Sequence, residues 1–540
     1  MKRHDWKILV LGVTVAMGFM MFSPSAEAGF PGMDITLWDA HQAKEDRKNS
    51  DYIDFHKLVE EKKYDIAMQL IDRAHQQNPQ KGTPLILKSL LLYELGRYKE
   101  SYSILQEGRR IQPRHPAIPF AHCRLYRMMG KVDLSEQACK ISVYQHKDNA
   151  DAHYEFAQTL TGMGYMDLAN KELKQAAALD TTNAIYHFER GMNSFYLNDL
   201  ERAEQSFLKA LSLNPEDFES GYQLGFLYAL QKKFKQAEKH LNHIWQTRKD
   251  HPKVEAARTL IELIKKGETD KLPAVVDHHS HHLNKSRTLY QSGKYGLSLF
   301  EIQTAARLKP NDKATHQIMV AIASLLLQLE LTEKSVKQLI DAHPNDKVLQ
   351  AKGYQELGDM RVMRGQLDQA SDYYKKSLAK GDPDGLAKIS LTEIPPQTKD
   401  TQPALDSTEP FFDPTEALNR KGEVFAHYGM YQRALALYSL ALRNHPGYLM
   451  SKLNMAAVYY KMGTPHKSIT LLERTLISNP NHEHILSHRV LLAKAYAQKG
   501  NQEKALENLK LVKNIKPSIL RALRGDPAFK DLKDHELFNQ

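Results

Sequence analysis

Cysteine is nearly absent from this chain. Cys123 and Cys139 are the only two among 540 residues, so at most one disulfide can form. The apolar stretch Ile8 to Phe22 is 15 residues long, short of the roughly 20 that span a bilayer, which argues against a permanent membrane anchor. No glycine-rich phosphate loop, nucleophile elbow or zinc-protease helix signature occurs. Carboxylate pairs such as Glu60-Glu61 read as the solvated faces of charge-rich helices and carry no signal for acid-base chemistry. These absences predict a protein that is not an enzyme and needs no cofactor.

What is present begins with a secretory pattern. Lys2, Arg3 and Lys7 precede the apolar stretch, and Ser23-Pro24-Ser25 leads into the small-x-small triplet Ala26-Glu27-Ala28. This predicts a signal peptide over 1–28, cleaved before Gly29, with no lipidated cysteine and no transmembrane segment afterwards. The mature chain is expected to be exported and periplasmic, soluble or peripherally associated with the envelope. Its composition, 42% hydrophobic and 26% charged, is that of ordinary soluble protein, and the formal net charge of +10 mildly favours acidic partners.

Beyond a short segment at 29–47, small residues recur at a fixed interval. Ala67, Ser101, Ser135, Ala169, Ala203 and Ala237 are each 34 apart, Ala74, Gly108, Ser142, Ala176, Ala210 and Ile244 follow them by seven, and Phe55, Ser89, Cys123, Ala157, Gly191 and Gly225 precede them by twelve. Within each interval the apolar spacing is helical on both sides of a break, as at Gly162 to Tyr165, so each unit is a pair of antiparallel helices. Asn214-Pro215 closes one of them, because the residue before proline avoids the helical region.

This pattern resembles the tetratricopeptide repeat family, whose marks are small residues at positions 8, 20 and 27, an aromatic or leucine at 11, glycine near 15, an aromatic at 24 and proline at 32. The resemblance implies an all-α, right-handed superhelical solenoid of about twelve repeats in three blocks. Repeats 1–6 fall at 48–251, repeats 7–9 at 279–384 through Ser298, Thr332 and Ala370, and repeats 10–12 at 415–519 through Ala434, Ser468 and Ala505. A connecting helix and loop at 252–278, a Pro/Thr/Asp-rich linker at 385–414 with Phe411 and Phe412 placed to dock it, and a capping segment at 520–540 complete the chain. Cys123 and Cys139 take positions 8 and 24 of repeat 3. The partner of position 8 is expected nearer position 20, so both are expected to stay reduced in the core.

The family's usual ligand surface is the concave face, at positions 2, 5, 9, 12 and 13. Those positions hold Ile185, Phe188, Met192, Phe195 and Tyr196 in repeat 5, Tyr222, Phe226 and Leu230 in repeat 6, and Tyr154 in repeat 4. So many aromatics facing water would anchor an extended peptide or helix; the alternative is burial against the superhelix itself. A basic group, Arg109, Arg110, Arg114, Arg124, Arg127 and Lys131, has the chemistry to capture carboxylates or phosphates bidentately, against the simpler reading of a solvated surface with neighbouring acids. His278, His281 and His282 form a string in which the i, i+4 pair could chelate a transition metal or respond to pH.

The leading expectation is a non-catalytic exported scaffold that mediates protein–protein interaction in envelope assembly or secretion. The second is an accessory of polysaccharide export that binds an acidic polymer through the basic groove, and the third is a metal-binding or pH-responsive protein built on the histidines. Nucleic acid is not an expected partner of an exported chain.

Overall fold

A computed structural model of the chain describes residues 49–249, 251, 254–273, 277–395 and 411–538. The expected signal peptide, the whole segment at 29–47 and the core of the linker lie outside them. The described residues are helical throughout, without a strand. The chain divides into two compact units at the Lys309–Pro310 junction.

The first unit opens with six helix pairs: α1 (Ser50–Glu60) and α2 (Tyr64–Gln77), α3 (Thr83–Glu94) and α4 (Tyr98–Ile111), α5 (Ala117–Met128) and α6 (Val132–Gln145), α7 (Ala150–Gly162) and α8 (Met166–Leu179), α9 (Ala184–Tyr196) and α10 (Leu200–Leu213), α11 (Phe218–Leu230) and α12 (Phe234–Thr247). A single helix, α13 (Val254–Lys266), follows, and then a seventh pair, α14 (His278–Gln291) and α15 (Tyr295–Leu308). The second unit holds α16 (Lys313–Leu325), α17 (Leu329–Ala342), α18 (Lys347–Met363), α19 (Leu367–Ala379) and the short α20 (Leu386–Glu393). It continues with α21 (Pro414–His427), α22 (Tyr431–Asn444), α23 (Leu449–Lys461), α24 (Pro465–Ser478), α25 (Ile485–Gln498), α26 (Gln502–Ile515) and α27 (Ser518–Leu523).

One backbone feature fixes the repeat frame. The turn between the two helices of a pair places position 15 in the left-handed region, with φ between 52° and 84°, at Lys62, Gly96, Gly130, Gly164, Asn198, Lys232, Gly293, Leu327, Gly365, Gly429, Gly463 and Gly500. Glycine adopts that conformation without steric cost and fills most of these positions. First helices are started by side chains that accept a first-turn N–H, among them Asn149, Asn183, Asp217, Asp312, Asp346 and Asp413.

Positions 8, 20 and 24 lock each pair together. Where position 8 is glycine, a bulky side chain from position 24 lies on it: a Cβ at Gly191 would meet the Phe207 ring at 2.5 Å, one at Gly358 would meet Tyr374 at 2.5 Å, and one at Gly422 would meet Tyr438 at 2.5 Å. Where positions 8 and 20 both carry serine, the hydroxyls knit the crossing, as when Ser101 donates to the Ser89 carbonyl at 2.7 Å and Ser298 to that of Ser286 at 2.7 Å. The facing of 8 and 24 overturns the expectation for the cysteines. Cys123 and Cys139 form a disulfide, their Cα atoms 4.8 Å apart. Ser135 at position 20 donates to the Cys123 carbonyl at 2.8 Å, so position 20 meets the backbone of position 8 while position 24, one turn on, meets its side chain.

Additional elements cover exposed ends. Ala257, Leu260, Ile261 and Ile264 of α13 join the core formed by Leu241, Ile244 and Phe226. Beyond α27, Phe529, Leu532, Leu537 and Phe538 pack into the cluster of Leu492, Leu509 and Val512. Across the linker, α21 and α22 continue the stack on α18 and α19 through a buried ionic knot. Arg433 donates to both Asp359 carboxylate oxygens at 2.5 and 2.6 Å, Lys421 lies 3.2 Å from Asp359, and the Tyr374 hydroxyl donates to it at 2.9 Å. Burial alone would raise the Asp359 carboxyl, but Arg433 and then Lys421 outweigh it and hold it below the usual carboxylate range. Phe411 is buried.

Candidate functional site

The aromatics of repeats 4 to 6 do not form a water-facing platform. Met192, Phe195, Tyr222 and Phe226 are buried in one cluster, with Phe188, Tyr196 and Leu230 packed against it. The rings meet across repeats: Phe195 lies 6.0 Å from Phe226, and Phe188 lies 6.1 Å from Phe207 of its own pair. Tyr154 and Ile185 pack against the neighbouring cluster around Cys123, Ala157 and Tyr186. First helices of adjacent repeats approach closely enough that positions 9 and 12 pack on each other, so Met192, Phe195, Tyr222 and Phe226 are buried, while Tyr154, Ile185, Phe188, Tyr196 and Leu230 stay half-buried.

Tyr196 is also covered by the seventh helix pair. This pair lies on the first helices of repeats 3 to 5, which overlap the groove that the sequence places on repeats 4 to 6. Gln303 donates to the Gly130 carbonyl at 2.8 Å, Thr304 to the Gly162 carbonyl at 2.5 Å, and Arg307 to the Tyr165 hydroxyl at 2.5 Å. At the start of α15 the approach is closer still, since a Cβ on Gly296 would stand 1.7 Å from the Met128 carbonyl oxygen. Gln303, Thr304 and Arg307, with Gly296 and Phe300, form one stripe along α15 at helical spacing.

The histidine string belongs to this contact. His281 and His282 are buried, and the His281 ring sits 3.7 Å from that of Tyr196. His282 shares its Nδ1 with a Glu301 carboxylate oxygen at 2.6 Å, and Lys285 pairs with the other at 2.7 Å. His278 lies 4.9 Å from His282, ring to ring, so the i, i+4 pair exists. Among the described residues, however, no group of three histidine, cysteine or acidic side chains is placed to hold a metal ion. The string is an interior contact, not the surface chelate the sequence suggests.

The basic group also separates. Arg124 is buried between the rings of Tyr93, 4.0 Å away, and Phe120, with Glu94 at 2.5 Å and Glu155 at 3.0 Å. Arg127 pairs with the Glu155 carboxylate and donates to the Glu155 carbonyl at 3.0 Å. Burial would raise the Glu155 carboxyl, yet Arg127 and Arg124 hold it below its ordinary range. Arg109, Arg110 and Arg114 are exposed at and beyond the end of α4, and Lys131 precedes α6. The two arginines expected to capture an anion are therefore already occupied by the protein's own carboxylates.

The residues that sequence reasoning missed had a readable signal. Glu94 and Glu155 occupy inner positions 13 and 6 of the repeats on either side of Arg124, so opposite charges were already set facing one another. Gly296 stands two residues before position 20, where the first six repeats carry Asp65, Lys99, Asp133, Asp167, Glu201 and Lys235.

In the second unit, Asn454 donates to Asn419 at 3.1 Å and to Glu423 at 2.9 Å, a polar comb along α21 and α23. Near the end of the stack an open cleft of about 310 Å³ is lined by Leu486, Ser487, Val490, Leu491 and Lys494 of α25 and Ile519 of α27. Lys494 is tied to Asp526 at 2.5 Å, which leaves the cleft predominantly apolar.

Stacked antiparallel helix pairs, with one recurrent left-handed turn and small residues at the crossings, define a helical repeat solenoid. Models of the tetratricopeptide repeat match residues 195–261 and 489–519, so the chain carries tetratricopeptide repeats in both units. No curated protein matches it in sequence. Among solved structures, it is similar to YrrB, a tetratricopeptide protein with an unusual peptide-binding site. That likeness is at 17% identity over 35% of this chain and 97% of YrrB, with TM-score 0.30. PilW, a type IV pilus biogenesis factor, overlays at 14% identity over 48% and 99% of the two chains, TM-score 0.26. MamA of Desulfovibrio magneticus RS-1 overlays at 16% identity over 31% and 94%, TM-score 0.27.

Proposed function

We propose that this chain is a non-catalytic, exported scaffold that holds other proteins during cell-envelope assembly or secretion. The observation that carries the reading is the open apolar cleft of Leu486, Val490, Leu491 and Ile519 on a repeat stack. Its size suits one or two apolar side chains of an extended partner segment, the anchor mode of peptide recognition on helical grooves. Export is supported by the secretory pattern of residues 2–28 and by the Cys123–Cys139 bridge, because such bonds persist in oxidising compartments. The occupied state of Arg124 and Arg127 favours a protein partner over an acidic polymer.

Val490→Asp places a charge in the cleft without touching the helix crossings. Partners that co-purify with the wild-type chain should be lost while helix content is retained. Full retention of every partner by a folded variant would place the binding surface elsewhere.

A further inference from the structure

The seventh helix pair occupies the groove of the stack to which it is attached. It is bounded by Gly267, which has a positive φ of 70°, and the connection to α14 on one side, and by the junction between the two units on the other. Its contacts with α5 and α7 run from Gly296 to Arg307 and join residues separated by 142 and 173 positions, whereas the rest of the stack is held by neighbouring repeats. Removing this hairpin leaves six stacked pairs capped by α13. It can therefore move as a body without breaking a repeat.

The seat buries several titratable groups. His281 is enclosed, its ring tilted by 34° against that of Tyr196, and charged and titratable groups face it from each packed element. On α14 these are His278, His282 and Lys285; on α15, Glu301 and Arg307; on α9, Glu189 and Tyr196; on α5, Arg127 bears on Glu189. Glu301 is already engaged by His282 and Lys285. Burial of Glu189 raises its carboxyl, which weakens it as a counter-charge. Burial first, and then His282, Lys285 and His278, disfavour a proton on His281 in this contact.

We infer that the α14–α15 hairpin is an acid-released lid over the inner face of repeats 3 to 5, latched by His281 and His278 and seated through Gly296, Phe300, Gln303, Thr304 and Arg307. Only the use of the uncovered face by a partner rests on the scaffold reading; the lid's motion stands apart from it. The sign follows from burial. First burial, and then the neighbouring cationic or histidine groups, lower His281 well below 6.5 and lower His278 in the same direction. The seated state is therefore favoured above pH 6.5 and loses ground as the pH falls, because the unseated hairpin takes up the protons. At pH 5.0 the His281 contribution therefore raises the ratio of unseated to seated hairpin, and His278 adds to it in the same direction.

Spin labels on Leu168→Cys and Leu308→Cys, both exposed, report the distance between α8 and the end of α15 in the full chain, the native cysteines being bridged. One short distance is expected at pH 7.5, with a second, longer population appearing at pH 5.0 while helix content is retained. His281→Phe keeps the ring on Tyr196 and cannot titrate; paired with His278→Gln it should hold the short distance at both pH values. Gly296→Leu, which cannot seat, should show the long distance at both. An unchanged wild-type distribution at pH 5.0 overturns the proposal, as does an equal acid response in the double histidine variant. Loss of capture by Val490→Asp, or its absence, bears on the scaffold reading and leaves the lid untouched.

Discussion

Phe195→Ala separates a binding face from a core. The Phe195 ring is 3% exposed and lies 5.9 Å from Tyr196 and 6.0 Å from Phe226, centroid to centroid. Truncation empties the space between α9 and α11, and rigid helices on both sides close it only in part, so a loss of about 3–5 kcal/mol is expected. Tyr196, the surface on which His281 rests, loses its own support at the same time. A compact unit has a total stability of about 5–15 kcal/mol, so the variant should unfold at much lower urea concentration in the first unit. Each repeat touches mainly its neighbours, so hydrogen exchange in α21 to α26 should change little. Urea titration read by circular dichroism, with exchange mapped by mass spectrometry, gives both numbers. A folded variant that loses less than about 1 kcal/mol would show that the ring faces water and would refute the burial argument.

Three further outcomes follow from named contacts. Non-reducing peptide mapping should recover a Cys123–Cys139 bridge, and replacing both by alanine should cost about 3 kcal/mol for a loop of this length; free thiols in exported protein would contradict it. Asp359→Asn should cost about 3–5 kcal/mol in the second unit by stranding Arg433 and Lys421, measured by urea titration. Because the folded Asp359 carboxyl lies below its unfolded value, its contribution is complete above about pH 4 and fades as the pH falls through the folded value. Lys232→Gly should raise the first unit's stability by about 1 kcal/mol, since an exposed lysine there holds a left-handed turn at φ 59°; no gain in melting temperature would count against the frame.

The repeat frame was legible because it is written locally: helical spacing, capping side chains, small residues at the crossings, and a break at position 15. Glycine marks that break in most units, and Asn198, Lys232 and Leu327 adopt the same φ because the stacking on both sides demands it. The disulfide was legible in principle. Gly191 with Phe207 and Gly225 with Leu241 show that a small residue at 8 calls for a large one at 24, which pairs the two cysteines in repeat 3. The lid was not, because periodicity says which face of a helix is apolar but not what covers it. His278 to His282 read as a surface string until α14 was seen against Tyr196. The carboxylates that hold Arg124 and Arg127 come from neighbouring repeats, 30 and 28 residues away in sequence, so the pairing is not set within one repeat.

The central claim is that the first unit covers its own inner face while the second leaves a cleft open to a partner. A photo-crosslinking amino acid placed at Tyr196 and, in a separate variant, at Val490 tests this inside the producing cell, with adducts identified by mass spectrometry. The Tyr196 probe should link within the chain, to α14 near His281, and the Val490 probe should link to a second protein. An intermolecular adduct from Tyr196 together with none from Val490 would contradict the account.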